Sequence, residues 1–251
     1  MRIAIITGAS SGLGAEFYRA IQDEAIDEAW IIARRENRLN EIKNEFGKIP
    51  TRVIHMDITT RESMALLSSL LSESKPDIKF LINNAGAGIY GPIAEADYKV
   101  QGSMVELNVR ALTEITTIAL PYMSEKSFII NTCSIASFSP NANLTVYSST
   151  KAYVMSYSRG LRYELKKRKI NVIAVCPGPM ETEFLAVAGL DEGQSKAFSR
   201  LPRCNPRKTA IKSINLAKRG KSVYTPRAFY KFYRLLAKAL PTSLVLGLSK
   251  T

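Results

Sequence analysis

A tyrosine and a lysine stand four positions apart in the second half of the chain, at Tyr147 and Lys151. If this stretch is helical, both side chains lie on one helix face. A free tyrosine has a pKa near ~10, which suits acid–base chemistry at neutral pH poorly, and a neighbouring lysine cation lowers that pKa by favouring the phenolate. The pair therefore predicts a proton donor with an activating cation, although the same spacing is common on solvated helices.

A glycine-rich turn follows the first apolar run, with the spacing G-x-x-x-G-x-G. Glycines let the chain turn sharply and let its backbone approach a pyrophosphate. The N-terminus of the following helix adds free N–H groups and a positive dipole end. The turn predicts a dinucleotide site formed by Gly8, Ser10, Ser11, Gly12, Leu13 and Gly14.

Two adjacent arginines, Arg34 and Arg35, end the second apolar run, and no carboxylate lies between Ile31 and Arg35. A site that prefers NAD(H) usually holds the ribose 2′-hydroxyl with a carboxylate at this place. A guanidinium group instead suits a 2′-phosphate. The pattern favours NADP(H) over NAD(H). The alternative is that one arginine, more readily Arg35, only caps the strand.

Apolar β-rich runs alternate with helical patterns from the first residue onward. Strands are predicted near Arg2–Ile6, Ala29–Ala33, Arg52–His55, Phe80–Ile82, Phe128–Asn131, Asn171–Val175 and Ser222–Thr225. Helices are predicted near Gly12–Glu24, Glu36–Phe46, Arg61–Ser72, Tyr98–Met123, Tyr147–Lys167, Pro206–Lys218 and Arg227–Leu240. This alternation predicts an α/β fold, a Rossmann-like, doubly wound, mostly parallel seven-stranded sheet with helices on both faces. Residues 1–251 are expected to form a single dinucleotide-binding domain.

The net charge of +13 is unevenly distributed along the 251 residues. Residues 1–192 carry 21 Lys+Arg against 22 Asp+Glu, whereas residues 193–251 carry 14 Lys+Arg and no acidic residue. Such a basic segment suits an anionic membrane surface, an acidic substrate or cofactor, or nucleic acid. The alternative is a solvated cationic face.

The three cysteines, Cys133, Cys176 and Cys204, have no metal-like spacing. We expect reduced thiols, two of them in buried strands, which is typical of a cytoplasmic protein. The N-terminal apolar run is expected to be too short for a signal sequence or a membrane span. Because His55 is the single histidine, no metal site is expected.

Taken together, these motifs resemble those of the short-chain dehydrogenase/reductase superfamily, in its single-domain subfamily. They follow the family's order along the chain, and Tyr147 lies thirteen positions after Ser134, as the family pattern requires. The matching positions are Thr7–Gly14, Asp57, Asn83–Gly86, Asn108, Ser134, Tyr147, Lys151 and Pro177–Thr182.

The resemblance implies a catalytic set of four residues. Tyr147 would give its proton to the substrate oxygen as hydride reaches the carbonyl carbon, and Ser134 would hydrogen-bond that oxygen. Lys151 would lower the pKa of the tyrosine and hold the nicotinamide ribose, while Asn108 would anchor a water that returns protons to Lys151. The alternatives are a helix-cap role for Ser134 and, for Asn108, a helix-interior amide bonded to neighbouring backbone.

The resemblance also implies cofactor contacts beyond the glycine turn. Asp57 would accept a hydrogen bond from the adenine amino group, Asn83 would lie beside the adenosine, and the backbone after the sixth strand would hold the nicotinamide carboxamide. The additional contact residues are Asp57, Ile58, Asn84, Ala85, Gly86, Asn108, Tyr147, Lys151, Pro177, Gly178, Met180 and Thr182. The alternatives are turn roles for Asn83 and Asn84, and an N-cap role for Asp57 at a helix beginning near Thr60.

Two segments would decide the substrate, because specificity in this family usually comes from the region after Thr182 and from the C-terminus. A substrate lid is expected at about 182–205. Its predicted apolar lining is Phe184, Leu185, Val187, Leu190 and Phe198. A lining of this kind favours a lipid-like, steroid-like or acyl substrate over a sugar.

The second segment, about 226–251, is basic and contains an amphipathic helix over Arg227–Leu240. Its apolar face is predicted to carry Phe229, Phe232, Tyr233, Leu236 and Leu240. Its basic face is predicted to carry Arg227, Lys231, Arg234 and Lys238. Three interpretations stay open: packing on the domain or on a dimer partner, a cap on the substrate pocket, and interfacial attachment to a membrane.

These features predict an NADP-dependent oxidoreductase that transfers a hydride between nicotinamide and a carbonyl or secondary alcohol of a hydrophobic substrate. The best candidate substrate is a hydroxysteroid or a similar lipid-like compound, and a 3-oxoacyl thioester is the alternative. An alternative of another class is a non-catalytic dinucleotide-sensing or scaffold protein, which would have no need of Tyr147. We expect a cytoplasmic homodimer or homotetramer that binds a small-molecule substrate and no nucleic acid, with peripheral membrane contact through the C-terminal helix left open.

Overall fold

One sheet of seven strands organises the part of the chain that this computed structural model describes, residues 1–190 and 201–248. The strands are β1 (Arg2–Thr7), β2 (Glu28–Ala33), β3 (Thr51–His55), β4 (Asp77–Asn83), β5 (Phe128–Thr132), β6 (Asn171–Val175) and β7 (Val223–Tyr224). Their order is β3-β2-β1-β4-β5-β6-β7, and every neighbouring pair is parallel. The predicted Rossmann-like, doubly wound sheet is confirmed, and it is parallel throughout rather than mostly parallel.

The central strands are buried on both faces of the sheet. Five of the six residues of β1 are buried, and so are five of the six residues of β2. Strands covered by helices on both sides read as nearly continuous apolar runs, so their composition made them predictable. The last strand is shorter than predicted, because only Val223 and Tyr224 pair with the end of β6.

Helices cover both faces of this sheet. Within the described residues they are α1 (Gly12–Ile21), α2 (Glu36–Phe46), α3 (Arg61–Ser74), α4 (Tyr98–Val105), α5 (Leu112–Ala119), α6 (Thr145–Glu164), α7 (Glu183–Val187), α8 (Pro206–Lys218), α9 (Ala228–Ala239) and α10 (Thr242–Leu248). Helices α1 and α8 contribute to the core on one face, and α3 and α5 to the core on the other. The strand order reverses between β1 and β4, where open α/β sheets form their ligand crevice.

The helix predicted over Tyr98–Met123 is not one continuous α-helix. A π-helical segment, Glu106–Ala111, separates α4 from α5, and a 3₁₀ turn over Leu120–Tyr122 follows α5. Pro121 accounts for the end of the helix, since it lacks an N–H and crowds the preceding turn. The π segment has no glycine or proline, so no local residue signals it, and such single-turn insertions are frequent at functional sites.

The side of α9 that packs on the domain does not coincide with its predicted apolar face. Phe229 and Phe232, on the predicted apolar face, are 52% and 61% exposed, whereas Tyr230, which was not assigned to that face, is 1% exposed. The Tyr230 ring lies on the bare backbone of Gly178, where a Cβ would come within 2.2 Å of ring carbon Cε2, and its hydroxyl donates to the Pro202 carbonyl at 2.7 Å. The apolar pattern indicated an amphipathic helix, but the glycine on which the Tyr230 ring packs, Gly178, lies outside that helix.

None of the helices within residues 1–190 and 201–248 combines the length and the hydropathy that crossing a bilayer requires.

Candidate active site

A cleft with a volume of about 780 Å³ opens at the carboxyl ends of the central strands. Of the residues predicted for cofactor binding or catalysis, it is lined by Gly8, Ser10, Ser11, Gly12, Leu13, Arg34, Arg35, Asp57, Ile58, Asn84, Ala85, Gly86, Ser134, Tyr147, Lys151, Pro177, Gly178, Met180 and Thr182. Three predicted residues, Gly14, Asn83 and Asn108, do not line it. The sheet thus gathers into one place positions that are far apart in the chain.

The glycine turn brings bare backbone to the end of β1. Gly8 has a φ of +66°, which favours glycine, and its N–H donates to the Ile32 carbonyl at 2.9 Å. A Cβ at Gly14 would lie 2.0 Å from the Gly8 carbonyl oxygen, so α1 can approach the turn only without a side chain there. Ser11, the N-cap of α1, makes no side-chain capping bond, which leaves the first N–H groups of the helix available to an anion.

A polar clamp holds this turn against β4. The Thr7 hydroxyl accepts hydrogen bonds from the backbone N–H groups of Asn84 and Ala85, both at 3.1 Å. The Asn84 amide donates to the carbonyls of Thr7 and Gly8, each at 3.2 Å. Asn84 is therefore bound into the turn itself rather than serving only as a turn residue after its own strand.

Asn83 does not reach the cleft, so its predicted place beside an adenosine was wrong. Its side chain is buried and donates to Thr116 Oγ1 and to Asn131 Oδ1, both at 2.9 Å. Asn131 donates in turn to Ser158 Oγ at 2.9 Å. Successive strand residues point to opposite faces, so Asn83 turns into the α5–α6 layer.

Asp57 lies between β3 and α3, with its carboxylate bound locally. Its Oδ1 accepts from the Thr59 N–H at 2.9 Å and from the Thr59 hydroxyl at 2.7 Å. Burial alone would raise the pKa of this carboxyl, but the hydrogen bonds from Thr59 and the charge of Arg34 hold the pKa below its usual range. The N-cap of α3 is Thr60, whose hydroxyl accepts from the Ser63 N–H, so the alternative N-cap role for Asp57 was wrong.

The two arginines have different surroundings. Arg34 is 76% exposed, and its Nη1 lies 3.9 Å from Asp57 Oδ2. Arg35 donates from Nη2 to Ser10 Oγ at 3.3 Å and to Glu183 Oε2 at 2.7 Å. The Arg35 side chain thus joins the glycine turn to α7, and it does more than cap its strand.

Glu183 is a cleft residue that the sequence reasoning missed. The hydrogen bond from Arg35 holds the pKa of its carboxyl below the usual range, and the Ser11 hydroxyl adds to this effect. Arg35 and Glu183 are 148 positions apart, so no local pattern links them. A carboxylate on this arginine competes with any phosphate that binds at the same guanidinium.

Ser134, Tyr147 and Lys151 share the wall of the cleft near β5 and α6. The Lys151 Nζ lies 5.8 Å from the centre of the Tyr147 ring. Burial raises the pKa of Tyr147 to about 12, against a hydrogen bond with Ser134 that lowers it. The pKa of Tyr147 therefore lies above its usual value, not below it as expected from the neighbouring lysine, and the phenol keeps its proton at neutral pH.

Ser134 also has the alternative role considered for it. Its hydroxyl accepts from the Ala136 N–H at 3.1 Å and caps a short 3₁₀ turn, Ile135–Ser137. The cap orients the hydroxyl without removing it from the cleft, since Ser134 is both the N-cap and a lining residue.

Lys151 is a buried lysine close to the tyrosine ring. It is 4% exposed, its Nζ donates to the Thr132 carbonyl at 3.0 Å, and burial lowers its pKa. A Cβ at Gly86 would lie 3.2 Å from Nζ, so this glycine leaves room for the ammonium group. The neighbouring Cys133 and Cys176, which follow β5 and β6, are buried free thiols.

Asn108 stands behind the wall, in the π-helical segment. Its Oδ1 accepts from the Ala87 N–H at 2.9 Å, and its Nδ2 donates to the Ala87 carbonyl at 2.8 Å and to Thr150 Oγ1 at 3.0 Å. The alternative for Asn108 was an amide bonded to neighbouring backbone. The side chain does bond backbone, but that backbone is Ala87, in the loop after β4. Asn108 therefore ties that loop to α6, next to Lys151.

The remaining side of the cleft is apolar. It is formed by Ile135, Leu144, Phe184, Leu185, Val187, Leu190 and Leu201. The Phe184 ring packs against Tyr147 with 5.8 Å between centroids. Four of the five residues predicted for the lid lining are among these residues; the fifth, Phe198, lies outside the described residues, as does the part of the predicted lid over 191–200.

Known proteins share this sequence pattern and this fold. Residues 2–193 match the family model described as short chain dehydrogenase. An uncharacterized oxidoreductase of Staphylococcus aureus (strain N315) is 28% identical over 187 residues, which cover 74% of this chain and 80% of that protein.

Solved structures cover almost the whole chain. The bulky-bulky ketone specific alcohol dehydrogenase from Comamonas testosteroni is 26% identical, with a TM-score of 0.76 over 95% of this chain and 92% of that chain. A short-chain dehydrogenase from Sphingobium yanoikuyae in complex with NADPH is 24% identical, with a TM-score of 0.79 over 97% and 98% of the two chains. A 3-ketoacyl-(acyl-carrier-protein) reductase from Brucella melitensis complexed with NADH is 22% identical, with a TM-score of 0.78 over 90% and 96%. The last two likenesses show the fold.

The parallel sheet, the glycine turn and these relatives define an oxidoreductase of Rossmann-like fold. The chain belongs to the short-chain dehydrogenase/reductase family, whose model matches it over residues 2–193.

Proposed function

We propose that this enzyme uses NADP(H) to transfer a hydride to or from a carbonyl or secondary alcohol of a hydrophobic substrate. The observation that carries the proposal is the position of Ser134, Tyr147 and Lys151 in one cleft with the glycine turn and an apolar wall. The glycine turn fits a dinucleotide, because bare backbone and uncapped helix N–H groups meet at the same edge of the cleft. A sensor or scaffold would not need the buried proton-transfer set.

The catalytic roles that the family resemblance implies are compatible with the positions of these side chains. A nicotinamide cofactor held in this cleft would supply or accept the hydride. Tyr147 holds a proton on its phenol oxygen and gives it to the substrate oxygen, which Ser134 also hydrogen-bonds. Lys151 would hold the ribose hydroxyls and would stabilise the phenolate once the proton has left, and Asn108 would anchor a water through which protons return to Lys151.

The preference for NADP(H) rests on the two arginines at the cofactor end. Arg34 is largely exposed, and among the residues that the structure describes its one carboxylate partner is distant, at 3.9 Å, so its guanidinium can reach a 2′-phosphate. Arg35 is already paired with Glu183 at 2.7 Å. Arg34 is therefore the first choice for the phosphate contact, and Arg35 becomes a second one when it leaves Glu183.

NADPH is expected to bind more tightly than NADH, and Arg34→Ala is expected to reduce that difference about tenfold or more, since it removes a charge-assisted contact. Glu183→Gln is expected to enlarge the difference, because it frees Arg35 from a competing carboxylate. Fluorescence titration of both cofactors measures these affinities. Glu181→Gln, an exposed change in the same loop, is the matched control and is expected to leave the difference unchanged. Equal affinities for NADPH and NADH in the parent protein would contradict the phosphate argument.

The substrate proposed first is a hydroxysteroid or a similar lipid-like compound, because the wall beside Tyr147 is built from leucine, isoleucine, valine and phenylalanine side chains. The likeness to an enzyme that acts on bulky ketones supports a large apolar substrate. A 3-oxoacyl thioester is the second candidate. It is supported by the likeness to a 3-ketoacyl-(acyl-carrier-protein) reductase and by the cationic C-terminal segment, which suits the phosphates of an acyl carrier.

Oxidation of NADPH by a panel of carbonyl compounds tests these candidates. An oxosteroid is expected to exceed a simple aldehyde in kcat/KM by about tenfold or more, because each additional buried methylene contributes ~1 kcal/mol or more. Preferential turnover of medium-chain 3-oxoacyl thioesters would select the second candidate. No oxidation of NADPH with any carbonyl, and no reduction of NADP by the corresponding alcohols, would reject the proposed reaction.

Three further features complete the proposal. We infer a single domain with a substrate lid at about 182–205, of which residues 182–190, including α7, and residues 201–205 are described. We also infer a cytoplasmic location, consistent with free thiols at all three cysteines. A homodimer or homotetramer is proposed for the assembly, and light scattering measures its mass directly.

A further inference from the structure

Helix α9 presents apolar side chains to solvent as well as to the domain. Phe229, Phe232 and Leu235, spaced three positions apart, are 52%, 61% and 67% exposed. Leu240 and Leu244, at the junction with α10 and inside it, are 36% and 56% exposed. We call these five residues, together with the cations beside them, the C-terminal surface. Exposed apolar groups of this number on adjoining helices mark an interaction site more often than isolated exposed residues do.

Cations border this apolar group. Arg227, Lys231 and Lys238 are exposed, and the two lysines are seven positions apart and so lie on one side of α9. Within residues 1–190 and 201–248, no carboxylate forms an ion pair with either lysine. The sequence from 193 to 251 contains no acidic residue to neutralise them.

The combination of cations and apolar side chains indicates which kind of partner binds the C-terminal surface. A second copy of the chain would place this same surface against itself in a symmetric dimer, which brings lysine against lysine with no carboxylate from the segment. Nucleic acid would engage the cations but would leave the phenylalanine and leucine side chains in water. An anionic bilayer satisfies both parts, since lipid headgroups attract lysine and arginine while the headgroup–acyl boundary receives phenylalanine and leucine.

We propose that the C-terminal surface docks this enzyme on anionic lipid bilayers, with the apolar side of α9 inserted at the headgroup boundary. The site is peripheral, because α9 has 12 residues and is too short to span a bilayer.

The inner side of α9 connects this surface to the active site. Tyr230 lies on Gly178 of the cleft wall. The Tyr233 ring lies 6.3 Å from that of Phe138, and the Arg234 guanidinium lies 5.8 Å from the same ring. Phe138 directly follows the short turn that Ser134 caps. A docked α9 therefore holds the cleft beside the bilayer, where a lipid-like substrate is concentrated. The benefit for substrate capture rests on the proposed function, whereas docking itself does not.

Vesicle binding of the full chain tests the proposal without any turnover measurement. The protein is sedimented with phosphatidylcholine vesicles, and with vesicles of phosphatidylcholine mixed with phosphatidylglycerol. At low salt, at least about tenfold tighter binding to the mixed vesicles is expected, and raised salt is expected to weaken it. Equal binding to both vesicles, or binding to neither, would overturn the proposal.

Variants separate the two parts of the surface. Phe232→Ser combined with Leu235→Ser, and separately Lys231→Glu combined with Lys238→Glu, are each expected to weaken binding about tenfold or more. The matched controls are Leu66→Ser on α3 and Lys166→Glu combined with Lys167→Glu after α6. They change exposed side chains elsewhere and are expected to bind as the parent does.

Three further measurements distinguish loss of docking from unfolding, from dimerisation through this surface and from loss of the proposed chemistry. The unfolding midpoint of each variant is expected to match that of the parent, because every changed side chain is exposed. If the Phe232→Ser and Leu235→Ser changes instead convert a dimer to a monomer by light scattering and vesicle binding is absent, the occupant is a second copy and the proposal fails. Tyr147→Phe is expected to bind vesicles normally, so loss of the proposed chemistry and loss of docking are observed separately.

Discussion

Tyr147→Phe is expected to lower kcat about 10³-fold while leaving the affinity for NADPH nearly unchanged. The change removes only the phenol oxygen, and a positioned general acid contributes about 10²–10⁴ in rate. Burial raises the pKa of Tyr147 to about 12, so at neutral pH its phenol is fully protonated and ready to donate in the direction of reduction. The ring, which packs on Phe184 at 5.8 Å, is retained, so the shape of the cleft is preserved.

Steady-state kinetics with the best substrate of the carbonyl panel and fluorescence titration with NADPH measure the two quantities separately. Tyr153→Phe is the matched control, because Tyr153 lies on the same helix and is 38% exposed, and its hydroxyl hydrogen-bonds Thr113 outside the cleft. The control is expected to keep its turnover. Turnover by Tyr147→Phe at the level of the parent would reject Tyr147 as the proton donor.

Gly14→Ala is expected to destabilise the protein by about 1–3 kcal/mol and to abolish measurable NADPH binding. The added Cβ would stand 2.0 Å from the carbonyl oxygen of Gly8, and that atom is backbone, so no side chain can move aside. Relief requires α1 to shift away from the turn, and this shift moves the helix N–H groups that are proposed to meet the pyrophosphate.

Gly160→Ala provides the contrasting control. Gly160 lies within α6, more than one turn before its end, and a Cβ there would meet no atom within 4 Å. Because alanine is a better helix former, this change is expected to stabilise the protein by about 1 kcal/mol. Urea unfolding measures both variants, and an unchanged midpoint for Gly14→Ala together with normal NADPH affinity would show that the close approach of helix and turn is not needed.

Elements and motifs were predictable where the residue types of a short segment match its burial or its backbone geometry. The apolar runs of β1 and β2 are buried on both faces, so composition alone identified them. The glycine turn was predictable because the geometry it requires admits few other residues. The Tyr147–Lys151 spacing was visible because one helix carries both side chains.

Other features depend on contacts between distant segments. Asn83 and Asn84 are neighbours in sequence, yet one is buried against Thr116 and the other holds the glycine turn. The π-helical turn at Asn108 is tied to Ala87, a residue of another loop. The buried side of α9 is chosen by the bare backbone of Gly178, which no pattern within α9 reveals.

The sequence by itself determined the parallel α/β fold, the place of the cofactor turn and the identity of the residues proposed for proton transfer, because each depends on periodicity or on a rare local geometry. Only the tertiary structure decided the surroundings of those residues. The fold pairs Arg35 with Glu183, and it buries Tyr147, so that the pKa of this tyrosine rises rather than falls. It also turns Phe229, Phe232 and Leu235 outward. Desolvation, pairing of distant charges and the choice of a packed face arise from elements meeting in space, and so the local sequence cannot specify them.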